Sequence, residues 1–104
     1  MPLAVDTRFS PARGFIAEGY EGVARTFAAQ LASGAQTGAS FAVYRKGERV
    51  VDLWGGIADV KTRRPWERDT RIVLFSVTKG FAAMAFHLLA DRGQIAFEAP
   101  VAHY

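Results

Sequence analysis

A chain of 104 residues, half of them hydrophobic and 22% charged, with a net charge of +3, has room for one domain with a modest core. It holds no cysteine and only two histidines, His87 and His103, which argues against a disulfide framework, a thiolate or histidine metal site, and a Ser-His-Asp triad. No apolar run approaches the ~20 residues that cross a bilayer, and the segment from Met1 to Gly14 carries Asp6, Arg8 and Arg13 without an apolar stretch. No membrane partner and no secretory signal are therefore expected, and the expected location is cytoplasmic.

Residues 1–17 read as an irregular lead, with Ser10, Pro11 and Gly14 as breakers. A helix is predicted from about Glu18 to Leu31, because Val23, Phe27 and Leu31 recur at a spacing of four and share one face. Gly34 is its expected stop. Phe41–Arg45 and Arg49–Trp54 are predicted strands, joined by Lys46-Gly47-Glu48 as a hairpin connection. The run Phe41-Ala42-Val43-Tyr44 is apolar on both faces and suits a strand covered on both sides. Trp54-Gly55-Gly56 should end the hairpin, leaving a loop to Asp69 around Pro65-Trp66.

Ile72-Val73-Leu74-Phe75 is predicted to be a short buried run that leads directly into Ser76. A helix then extends to about Arg92. Phe81, Met84, Ala85, Leu88 and Leu89 mark one face, with Ala82, Phe86 and Ala90 extending the apolar surface around the flank. Gly93 closes it, and an extended tail follows to Tyr104. A helix apolar nearly all round is buried in a protein larger than itself. The 104 residues are thus expected to form the front part of a longer protein.

The charge is concentrated at Lys61, Arg63, Arg64, Arg68 and Arg71. Such a cluster can mark a nucleic-acid or anionic surface, but no stacking aromatics or repeats accompany it. It reads as a solvated loop face, with no nucleic-acid partner expected.

Ser76-Val77-Thr78-Lys79 carries the chemistry. Residues three apart lie on one helical face about one turn from each other. A serine at a helix start also sits beside unpaired backbone N–H groups and the positive end of the helix dipole. Those are the elements a serine nucleophile with a lysine proton acceptor needs, provided burial or nearby positive charge favours the neutral amine. The plainer alternative makes Ser76 an N-cap and lets Lys79 reach solvent along the helix surface. His87 reads as a helix-flank residue, Asp59 as a turn residue, Trp54 and Trp66 as packing anchors, and Thr78 as structural, off the Ser–Lys face.

The ordered set Val51-Asp52-Leu53-Trp54-Gly55-Gly56, Ala58-Asp59, Arg64-Pro65-Trp66, Asp69-Thr70 and Phe75-Ser76-Val77-Thr78-Lys79-Gly80 closely resembles the beginning of the serine β-lactamase-like family. Leu88-Leu89-Ala90-Asp91-Arg92-Gly93 and Ala99-Pro100-Val101 fit the same pattern, so the resemblance covers roughly residues 15 to 104. The branch it most resembles is the family VIII carboxylesterases, which share a fold with class C β-lactamases and D-alanyl-D-alanine carboxypeptidases. The resemblance implies an α+β chain: the N-terminal portion, residues 1–104, of a single β-lactamase/transpeptidase-like domain. Its parts would be a helix, an antiparallel hairpin, a loop and a buried catalytic helix.

The resemblance further implies Ser76 as the acylated nucleophile, Lys79 as the group that helps remove its proton, and the Ser76 N–H as one oxyanion donor. Small-molecule esters or amides are the implied substrates. No metal or organic cofactor is implied. The family's tyrosine motif and its late-strand motif, source of the second oxyanion donor, have no match here: Tyr20 and Tyr44 have the wrong neighbours and Tyr104 is the last residue. The expectation is an esterase-type serine hydrolase whose 104-residue chain alone has little or no turnover. Hydrolysis of β-lactams or D-Ala-D-Ala is the alternative within the fold, and a non-catalytic scaffold the alternative outside enzymes. Oligomeric state is not legible.

Overall fold

The computed structural model describes residues 3–4 and 11–104, and the chain divides into two compact units, Met1–Thr70 and Arg71–Tyr104. The first unit is a helix on an antiparallel sheet. Its elements are β1 (Leu3–Ala4), β2 (Arg13–Ile16), α1 (Glu21–Ala32), β3 (Gly38–Arg45), β4 (Glu48–Asp59) and β5 (Arg64–Pro65). The strands run in the order β1-β2-β4-β3, and β5 pairs with the far end of β4.

The long strand β4 organises this unit. Val51 lies between Ile16 of β2 and Val43 of β3, and Leu53 between Gly14 and Phe41. Alternation along the strand puts Val51 and Leu53 on one face, where both are fully buried. Burying each contributes about 1.5–3 kcal/mol. Helix α1 closes this face with Ala24, Phe27 and Ala28, at the i, i+3, i+4 spacing of one helical stripe. Phe27 belongs to the predicted face, and Val23 and Leu31, predicted beside it, pack against the core partly buried. The two alanines occupy the centre, where a small side chain lets the helix lie close to the strands.

The opposite face of the sheet is held by charge. Asp52 is only 14% exposed, and its Oδ2 accepts hydrogen bonds from Arg68 and lies 3.0 Å from an Arg49 guanidinium nitrogen. Arg49 also stacks over the Phe15 ring at 4.8 Å, and Arg68 lies 5.9 Å from the centre of Trp54. Removing the shared acceptor leaves two guanidiniums facing each other. Because the Arg68 side chain is 55% exposed, solvent softens the loss, and Asp52→Ala is expected to cost about 1–2 kcal/mol. A urea midpoint unchanged by that substitution would show that the cluster adds nothing to stability.

The hairpin is where the sequence places it. Lys46 and Gly47 form a two-residue loop with φ of 51° and 81°. Positive φ at both central positions is the turn whose twist matches paired strands.

Several expectations change. Within the irregular lead, Arg13–Ile16 is a paired strand; Pro11 lies in a turn, and Ser10 lies outside the described residues. Helix α1 starts at Glu21 rather than Glu18, because Gly19 takes a φ of 87° that no helix tolerates. Strand β4 does not stop at Gly55-Gly56 but continues to Asp59, pairing Gly55 with Ala39 and Gly56 with Gly38. The loop beyond it contains β5. Phe41 and Tyr44 are 46% and 64% exposed, so β3 is not covered on both sides; it ends the path of paired strands among the described residues.

The second unit holds the helix α2 (Thr78–Asp91), preceded by a 3₁₀ turn at Phe75–Val77 and followed by another at Val101–His103, where an extended tail was expected. Gly93, with φ of 69°, follows α2 as the predicted stop. The run Ile72-Val73-Leu74-Phe75 is exposed, not buried: its first three residues are irregular, Phe75 opens the 3₁₀ turn, and no strand among the described residues pairs with it. Apolar surface is also open along α2, which has no buried residue; Phe81, Met84, Phe86 and Leu88 are each between 48% and 64% exposed. The helix expected to be buried thus presents its apolar sides uncovered. Among the described residues no helix is long and apolar enough to cross a membrane.

Candidate active site

Ser76 belongs to the 3₁₀ turn and Lys79 to the first turn of α2. The turn is closed by the Val77 N–H on the Leu74 carbonyl and the Thr78 N–H on the Phe75 carbonyl. This winding brings the two side chains together: Lys79 Nζ donates to Ser76 Oγ at 2.9 Å. The separation is within reach for direct proton transfer. No side chain caps the start of α2, so Ser76 does not act as the N-cap that the plainer alternative made it.

Around the pair is an open cavity of about 380 Å³, lined by Phe75, Ser76, Thr78, Lys79 and Ala82. Its walls are mostly apolar. Thr78, predicted off the Ser–Lys face, is among the lining residues. Phe75, expected to be buried at the end of the run before the serine, is instead 82% exposed and has φ of 49°. That left-handed backbone is rare for a bulky residue.

The remaining candidates fall elsewhere. Asp59 is a turn residue. Its Oδ1 accepts the backbone N–H of Lys61 at 2.8 Å and of Thr62 at 3.3 Å. The Thr62 and Lys61 N–H groups hold its carboxyl below the usual aspartate value. Because the folded form titrates lower, the turn's contribution is complete above the ordinary value of 3.8 and fades as pH falls through the lowered one. Carboxyl NMR should therefore give Asp59 a midpoint below 3.8; a midpoint at or above it would mean the turn is open in solution.

Trp66 is 6% exposed and packs as an anchor, its carbonyl accepting the Arg13 guanidinium, which also pairs with Glu67. Trp66 Nε1 is buried without a hydrogen-bond partner among the described residues. Trp54 is half-buried. His87 stacks edge-on against Phe97 at 5.0 Å. The five basic residues Lys61, Arg63, Arg64, Arg68 and Arg71 are all exposed, with Arg68 drawn onto Asp52. Among the described residues no cluster of three His, Asp or Glu side chains could hold a metal ion.

Comparison with known proteins gives these positions a context. The Beta-lactamase family model matches residues 23–104. "Esterase/beta-lactamase LipL" of Mycobacterium tuberculosis (strain ATCC 25618 / H37Rv) is 46% identical over 82 residues, covering 79% of this chain and 19% of that protein. "Esterase EstB" of Burkholderia gladioli is 40% identical over 67 residues, 64% of this chain and 17% of that one. A crystal structure of a family VIII carboxylesterase superposes with a TM-score of 0.83 at 46% identity, covering 89% of this chain and 25% of the other. The chain therefore spans a quarter or less of the length of these relatives. The match extends over most of its residues, in sequence and in fold, and the chain belongs to the β-lactamase family.

Proposed function

We propose that this chain carries the nucleophile and base of a carboxylesterase-type serine hydrolase, Ser76 and Lys79. The observation that carries the reading is the 2.9 Å contact between Ser76 Oγ and Lys79 Nζ at the entrance to α2. The family and the names of its esterase relatives support it. With the amine neutral, Nζ takes the hydroxyl proton while Oγ bonds to the ester carbonyl carbon. The carbonyl oxygen carries the negative charge, and the Ser76 N–H is one donor towards it. Collapse breaks the bond to the alcohol, which leaves with the proton from Nζ, and an acyl-serine remains. Water then adds to that acyl group, releasing the acid and restoring Ser76.

That a quarter or less of each relative is matched supports residues 1–104 as one part of such a domain, and the order of the motifs is the reason for placing them at its N-terminal end. Absence of one oxyanion donor costs about 10²–10³ in rate. Little or no turnover is then expected from these residues alone, and a single acylation event is the better readout. The second reading is hydrolysis of a β-lactam, favoured by the family and by the double name of LipL.

The test is a fluorophosphonate ester followed by intact mass. A one-to-one adduct on the wild-type chain, absent from Ser76→Ala, supports the nucleophile. No adduct on this chain or on any longer form of it overturns the hydrolase and leaves a scaffold of the same fold. Acylation by a chromogenic cephalosporin faster than by a p-nitrophenyl ester favours the second reading.

A further inference from the structure

We draw no further inference here: the strongest candidate, the side-chain cluster on the sheet face opposite α1 where the Arg49 and Arg68 guanidiniums meet on the single Asp52 carboxylate, carries nothing, because its contacts are those of the ion cluster already described and nothing in a chain that spans a quarter or less of its relatives shows what covers that face.

Discussion

Lys79→Ala is expected to slow phosphonylation of Ser76 by about 10²–10⁴-fold, the usual contribution of a positioned general base. Ser76→Ala should remove labelling entirely. The contrast is informative because neither substitution threatens the fold: both residues are exposed, and exposed substitutions away from caps and cores typically stay within about ±0.5 kcal/mol. A slow Lys79→Ala variant with an unchanged unfolding midpoint therefore reports chemistry. Lys79→Arg makes the argument sharper. It keeps the charge and the donor to Oγ, but an arginine stays protonated and takes no proton. It should be as slow as the alanine variant. If positive charge beside Oγ were sufficient, Lys79→Arg would label at close to the wild-type rate, and the base would have to be sought elsewhere. A Lys79→Ala variant labelled as fast as wild type would reduce the 2.9 Å contact to an ordinary surface hydrogen bond between neighbours on one turn.

The Ser76–Lys79 contact was legible in sequence because helical spacing alone brings the two positions together. The hairpin turn was legible for a related reason: Lys46-Gly47 states its own backbone requirement, and two apolar runs flank it. The features that escaped are those set by distant partners. Strand β2 is four residues long with a glycine inside, and it becomes a strand only by pairing with residues 51–54. The extension of β4 through Gly55-Gly56 reads locally as a stop, yet both glycines sit in register with β3. The exposed run 72–75 fails in the opposite sense. Its apolar residues announce burial, and residues 71–104 offer nothing to bury them against. At the candidate site, the backbone of Phe75 was illegible because a left-handed phenylalanine contradicts local preference.

Gly14→Ala is expected to abolish cooperative unfolding of the sheet unit. Gly14 has φ of 125°, and a Cβ built there lies 1.9 Å from the Asp52 carbonyl oxygen and 2.9 Å from the Trp54 ring. The obstacle is backbone, so no side-chain rotation relieves it; β2 and β4 have to part. That separation uncovers Leu53 and Val51, the two fully buried side chains at the centre of the core. A unit of this size has a total stability of roughly 4–10 kcal/mol. The strained φ alone takes about 1–2 kcal/mol, and exposing even one of the two core residues takes about 1.5–3 more. Gly19→Ala is the control. Its φ of 87° is equally foreign to alanine, but nothing lies within 4 Å of the added carbon. It should lower stability by only about 1–2 kcal/mol, the backbone cost by itself. Urea unfolding followed by tryptophan fluorescence distinguishes the two, since Trp54 is on β4 and Trp66 is packed just beyond β5. Equal midpoints for Gly14→Ala and Gly19→Ala would mean that β2 does not lie against Asp52, and the register that brings Ile16 over Val51 would have to be redrawn.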